Sequence, residues 1–219
     1  MKLYQFSWGI YPRRILVYLQ EKGVTDIEMM TLDVVAGDQR QPDFLKKNPA
    51  GTVPVLETDD GHFIGQSCSI LLYLEECLPG PDMSGATAAD RARTRDQLLL
   101  VNDAYNFAGI CTFHASPLFV QRREQSSEVA RAMRFEYARV LGSLEAMAGD
   151  GDYLGGDRPS IADVAFFASE QFMRTLYKLR LPEQCARLEA IYSRFQQRPS
   201  ATPAAFPEWI VDMAPLRDF

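Results

Sequence analysis

Two short segments of this chain carry residue types that can hold a small peptide by its backbone and its charged ends. The first is Asn48-Pro49-Ala50-Gly51-Thr52-Val53-Pro54-Val55-Leu56, and the second, Gln66-Ser67, follows Pro54 by twelve residues. Val53 precedes a proline, which pushes it toward extended backbone, and Pro54 brings no N–H to a strand ladder. The strand that starts at Val53 is therefore an edge, or its proline is cis. A cis bond turns the N–H and C=O of Val53 outward, where an extended ligand can dock by strand addition. Gln66-Ser67 opens a helix, whose unpaired N–H groups and dipole favour a carboxylate. Cys68 follows at once, at a place where a thiolate is stabilised.

The elements that must position these residues read off the hydrophobic spacing. Lys2 to Phe6 alternates as a strand, Pro12 starts an amphipathic helix, and Gly23 closes it. A strand over 27–33, a short helix from Pro42 to Lys47, strands over 53–58 and 61–64 joined at Asp59-Asp60-Gly61, and a helix over 66–78 follow. That order is β-α-β-α-β-β-α, an α/β thioredoxin-like layout spanning 1–78. The stretch Pro79-Gly80-Pro81-Asp82 breaks all periodicity and makes 79–86 a linker. From 87 to 219 the chain reads as an all-α helical domain: a long helix capped by Thr87 and Asp90, then helices over 124–148, 160–177 and 183–197, and a tail with Trp209. Ser160-Ile161-Ala162-Asp163 has capping-box form with a purely structural role.

Composition narrows the function. Of 219 residues, 47% are hydrophobic, enough for a sizeable core; 23 basic residues against 29 acidic ones give a net charge of -6 with no basic run longer than a pair. Nucleic acid is a poor partner for such a surface, and no apolar run reaches the ~20 residues of a membrane span. The expectation is a soluble cytoplasmic protein. The cysteines, Cys68, Cys77, Cys111 and Cys185, stand far apart, so neither a metal site nor a disulfide framework is expected; they read as reduced, mostly buried small hydrophobes.

A thioredoxin-like domain bearing Asn48-Pro49-x-Gly51-x-Val53-Pro54-x-Leu56, then Gln66-Ser67 at a helix start, then a helical domain with Ser160-x-Ala162-Asp163, resembles the cytosolic glutathione transferases of bacterial type along essentially the whole chain. The resemblance implies a cis Pro54, pairing of the Val53 backbone with the cysteinyl residue of glutathione, and a γ-glutamyl end held by Gln66 and Ser67. It also implies that Gln39 or Arg40 reaches the glycine carboxylate and that the protein is a homodimer. Arg91, Arg93 and Arg95 opposite Glu75 and Glu76 offer a charged face for such a dimer.

The thiol donor usually lies between the first strand and first helix in that family, and Phe6-Ser7-Trp8-Gly9-Ile10-Tyr11 departs from its common patterns. Ser7 and Tyr11 are the hydroxyls available there. The loop resembles an atypical branch lacking the standard donor, in which a histidine and a serine of the helical domain hold a water against the sulfur; His114 and Ser116 are the nearest equivalents. Trp8, Tyr105 and Phe113 are expected to border a hydrophobic-electrophile pocket between the domains. The expected reaction is conjugation of the glutathione thiolate to a hydrophobic electrophile. A non-catalytic glutathione- or ligand-binding relative and a glutathione-dependent isomerase or dehalogenase stand as alternatives, whereas a thiol oxidoreductase would need a loop cysteine that is missing.

Overall fold

A computed structural model describes residues 1–217 and divides the chain into two compact units, Met1–Asp82 and Met83–Phe219. In the first unit a four-stranded mixed sheet runs in the order β2-β1-β3-β4. Its strands are β1 (Lys2–Gln5), β2 (Glu28–Thr31), β3 (Val55–Glu57) and β4 (Phe63–Ile64). β1 is parallel to β2 and antiparallel to β3, with Leu3 opposite Leu56 and Tyr4 opposite Val55. Leu3, Val55 and Leu56 are fully buried there.

Helix α1 (Ile10–Lys22) starts two residues before Pro12, with Gly9 as its cap. A proline costs nothing in the first turn because those N–H groups lack intrahelical partners anyway. Helices α2 (Pro42–Leu45) and α3 (Ser67–Cys77) complete the unit. α1 and α3 pack together, burying Ile15, Tyr18, Ile70, Leu71 and Leu74. The third strand begins at Val55, not Val53, because the Val53–Pro54 bond is cis and Pro54 has no N–H to give the ladder.

The end of α1 is tied down by charge. Lys22 Nζ lies 3.0 Å from Glu75 Oε2 with both side chains nearly inaccessible, and it donates to the carbonyl of Pro81 at 2.8 Å. The Tyr18 hydroxyl donates to the same Glu75 oxygen at 2.7 Å. Glu75 is therefore not a surface acid awaiting arginines, which takes it out of the charged face expected for a dimer, while Glu76 is exposed; Arg91 and Arg93 donate to backbone carbonyls of Gly85, Ala86 and Met147. A hydrogen bond to a charged group is worth about 1.5–3 kcal/mol. Tyr18→Phe should accordingly lower the thermal midpoint by roughly 3–10 °C in a scanning experiment, and an unchanged midpoint would show that the bond contributes nothing.

The second unit is helical: α4 (Ala88–Ala115), α5 (Ser127–Met147), α6 (Ile161–Phe172), α7 (Ala186–Phe195) and α8 (Glu208–Met213). Capping boxes at Thr87/Asp90 and Ser160/Asp163 start α4 and α6. α6 is the core helix, fully buried from Ile161 to Ala168. The single helix expected over 160–177 ends instead in a π turn, Met173–Tyr177, closed by Lys178 at φ 58°. No helix among the described residues is long and apolar enough to cross a membrane.

Candidate functional site

The cis Val53–Pro54 bond lies just before the ladder, whose register with β1 ends at Val55 opposite Tyr4. Among the described residues, neither the N–H nor the C=O of Val53 has a hydrogen-bond partner. Buried Asn48 shapes the approach to this segment. Its Nδ2 donates to the Thr52 carbonyl at 2.8 Å, and its Oδ1 accepts from the Ala50 N–H at 3.2 Å. Gly51 takes φ 61°, in the left-handed region that favours glycine. A Cβ on Gly65 would come within 3.0 Å of Asn48 Oδ1, so one asparagine is packed against both the proline loop and the turn that leads into Gln66. Asn48 thereby holds the two segments in register, a role that sequence reasoning missed.

Ser67 is the first residue of α3 and is buried, while Gln66 is its exposed cap and makes no capping bond with its side chain. Beneath them is Arg14, fully buried on α1. Its Nη1 donates to Ser67 Oγ at 3.3 Å, lies 3.8 Å from Cys68 Sγ, and its guanidinium covers the Tyr11 ring at 4.9 Å. Because a hydroxyl has one proton, a Ser67 oxygen that accepts from Arg14 can direct that proton outward. The helix N-terminus, the serine proton and the buried cation together make a pocket for an anion. Arg14 was also missed in the sequence; the available signal was a second arginine amid the apolar run that follows Pro12.

Around this centre the loop residues fall as follows. Ser7 is exposed in a turn closed by Gly9 N–H to the Phe6 carbonyl at 2.9 Å. The half-buried Trp8 ring lies 4.1 Å from that of Phe6. Burial raises the Tyr11 phenol above its usual pKa, against the lowering effect of Arg14, so it keeps its proton and remains a donor at neutral pH. Gln39 and Arg40 occupy the 3-10 turn Asp38–Arg40. Gln39 is buried, donates to the Val34 carbonyl at 3.3 Å and has an Oε1 with no partner among the described residues, whereas Arg40 is exposed.

In the second unit the expectations need correction. Tyr105 sits in the helical core: it has no exposed surface, and its hydroxyl donates to the buried Glu170 at 2.7 Å. Ser116 cannot hold a water with its proton, because it is fully buried and donates to the Ala214 carbonyl at 2.7 Å. His114 Nδ1 accepts from the Ser126 N–H at 3.2 Å, a bond that links the end of α4 to the cap of α5. Phe113 is half-buried, edge-on to Phe119 with ring centroids 4.8 Å apart. All four cysteines are free; Cys111 and Cys185 are buried with thiols pushed up to about 11 by that burial, but Cys77 is exposed, contrary to expectation. No group of three or more metal-ligating side chains occurs among the described residues.

Comparison with known proteins adds an independent line. Residues 8–77 match the family described as glutathione S-transferase, N-terminal domain, and residues 128–196 the glutathione S-transferase, C-terminal domain. The chain is 30% identical over 208 residues to glutathione S-transferase 2 of Saccharomyces cerevisiae, covering 91% of this chain and 87% of that one. It is 31% identical over 221 residues to maleylacetoacetate isomerase of Pseudomonas aeruginosa, covering 94% and 100%. Among solved structures, maleylacetoacetate isomerase of Methylobacterium extorquens AM1 with bound malonate and GSH superposes with a TM-score of 0.75 at 26% identity, covering 92% and 94%.

Proposed function

This chain belongs to the glutathione S-transferase family, and from that premise we propose that it binds glutathione and conjugates it to a hydrophobic electrophile. The observation that carries the reading is the buried Ser67 at a helix start, accepting from the fully buried Arg14, in a unit where the Val53 backbone is left unpaired among the described residues. In this reading Val53 pairs with the cysteinyl backbone, as Pro54 in cis permits, and Ser67 with the α3 N–H groups holds the γ-glutamyl carboxylate. Gln66 accepts from the ammonium, and Gln39 or Arg40 meets the glycine carboxylate. Trp8 and Phe113 are proposed to contact the electrophile.

The chemistry is nucleophilic. The cysteinyl thiol loses its proton, the thiolate attacks an electrophilic carbon, a C–S bond forms, and the leaving group departs with its electron pair. Holding the two reactants together and stabilising the thiolate supply the rate. Ser7, Tyr11 and His114 are alternative donors to that sulfur, not a set. Tyr11 gains from its retained proton, while His114 would have to act through Nε2, since Nδ1 already accepts a bond. Calorimetry with glutathione, thiolate ultraviolet absorbance of the complex, and turnover of chlorodinitrobenzene test the reading. Binding at micromolar to millimolar concentration is expected, and Ser7→Ala, Tyr11→Phe and His114→Ala are compared for loss of thiolate absorbance. Absence of glutathione binding would overturn the proposal.

The similarity to maleylacetoacetate isomerase favours a second reading, glutathione-dependent cis-trans isomerisation of an unsaturated diacid, in which the thiolate adds and is then expelled. Consumption of maleylacetoacetate with glutathione unchanged at the end would select it over conjugation. Glutathione binding without turnover of either substrate type would select a binding-only relative. A cytoplasmic homodimer is proposed on family grounds, and light scattering at micromolar concentration checks the assembly.

A further inference from the structure

The segment that joins α4 to α5 is a hook folded back on the end of α4. Ser116 caps the 3-10 turn Pro117–Phe119, its Oγ accepting from the Leu118 N–H at 3.2 Å, and the Arg122 and Arg123 N–H groups both donate to the Phe119 carbonyl, at 2.9 and 3.1 Å. Gln125 then spans the helix end. Its Nε2 donates to the Ser116 carbonyl at 2.7 Å and to the Phe113 carbonyl at 3.1 Å, while the Ser126 N–H donates to His114 Nδ1 at 3.2 Å. These bonds satisfy carbonyls that a helix end leaves open, and they fix the chain on both sides of Arg123.

The hook holds a guanidinium against a ring. Arg123 Cζ lies 4.5 Å from the ring centroid of Phe113, and Phe119 meets that ring edge-on. Arg123 is exposed, and its side chain makes no hydrogen bond or ion pair among the described residues. Glu124 and Glu128, the acids of this stretch, are exposed as well. A guanidinium stacked on a ring has its plane held and its N–H edges open, which suits a planar carboxylate. Phe113, proposed above to contact the electrophile, is therefore not a bare apolar wall. A neutral molecule laid against it would strip water from the guanidinium and return no partner. An apolar body that carries a carboxylate keeps the ring contact and gives the cation its anion. His114 adds a donor of the same sense, because an imidazole whose Nδ1 accepts a bond carries its proton on Nε2.

We propose that Arg123 is a specificity-determining residue, held on Phe113 to select electrophiles that carry a carboxylate. The inference rests on the glutathione reading, which makes Phe113 an electrophile contact, and it narrows that reading from hydrophobic electrophiles at large to acidic ones. The test is calorimetry on the whole protein with glutathione itself and with two of its thioethers, S-benzyl and S-(4-carboxybenzyl). The carboxybenzyl thioether is expected to bind about tenfold more tightly than the benzyl one, since a charge-assisted pair is added to the same ring contact. That lead should shrink as salt rises to about 0.5 M, where exposed charges are largely screened. Arg123→Leu, which keeps an apolar cover on the ring, should erase the lead, and Arg123→Lys should keep only part of it because the fork is lost. Arg122→Leu removes the neighbouring charge and should leave the lead in place. Equal affinity for the two thioethers in the wild type, a lead that survives Arg123→Leu, or an equal loss in Arg122→Leu would each overturn the proposal. Failure to bind glutathione alone is a separate result, which overturns the glutathione reading and this inference with it.

Discussion

Asp163→Ala is expected to cost most of the folding stability of this protein, so that the variant is recovered insoluble or melts more than 10 °C early. The Asp163 side chain has no exposed surface. Its Oδ1 accepts from the Leu154 N–H at 2.7 Å, and its Oδ2 accepts from the Gly155 N–H at 3.0 Å, the Ser160 N–H at 2.9 Å and the Ser160 hydroxyl at 2.8 Å. Alanine would leave those buried donors without a partner at about 1–3 kcal/mol each, a sum of at least roughly 4 kcal/mol against a typical total of about 5–15 kcal/mol. Ser160 Oγ would also lose its orientation toward the Ala162 and Asp163 N–H groups that start α6. Burial raises the Asp163 pKa, and the four donors oppose that shift without cancelling it. Asp163→Asn keeps the shape and one acceptor oxygen, so it should fall between wild type and alanine in urea and thermal unfolding. A loss of under about 1 kcal/mol for alanine, within the range of an ordinary cap, would show that only the local box matters and that the ties to 154–155 are idle.

Asp163 also illustrates what could be read from sequence. The capping box is a local pattern of four residues and was legible as such, like the Thr87 box and the proline loop, whose backbone demands belong to the residues themselves. The carboxylate's further bonds to Leu154 and Gly155 were not, because they depend on a turn packed back by tertiary contacts. The same division separates the remaining misses. An aromatic at helix spacing does not reveal whether it faces a cavity or the core, and Tyr105 went to the core because Glu170 on α6 takes its hydroxyl. Glu75 read as a surface acid, but Lys22 and Tyr18 arrive four residues apart on α1 and enclose it. Arginine is rarely buried, so the one local signal, a second arginine in the apolar run after Pro12, does not by itself mark Arg14 as the cation beneath the candidate site. The π turn at Met173–Tyr177 left no periodicity of its own in a run that continues the helical pattern.

Arg14→Met should weaken glutathione binding about 10- to 100-fold in calorimetry, the consequence of losing one or two charge-assisted interactions of about 1.5–3 kcal/mol. Arg14 is fully buried, so in this reading it acts through Ser67 rather than by touching the ligand. By donating to Ser67 Oγ at 3.3 Å it occupies an acceptor lone pair and leaves the serine proton for the carboxylate; by its charge it favours an anion over the start of α3. Methionine restores much of the volume but neither effect. Lysine restores the charge, yet a single ammonium cannot cover the Tyr11 ring at 4.9 Å with a planar face and still place a nitrogen where Nη1 meets Ser67 and Cys68, so Arg14→Lys should recover only part of the loss. The decisive measurement is a double-mutant cycle with Ser67→Ala. If Arg14 works by orienting the Ser67 hydroxyl, the double variant binds little worse than the weaker single variant, with a coupling of at least about 1 kcal/mol. Strictly additive losses would mean that the two residues act independently, and an unchanged affinity in Arg14→Met would remove the buried cation from the binding site altogether.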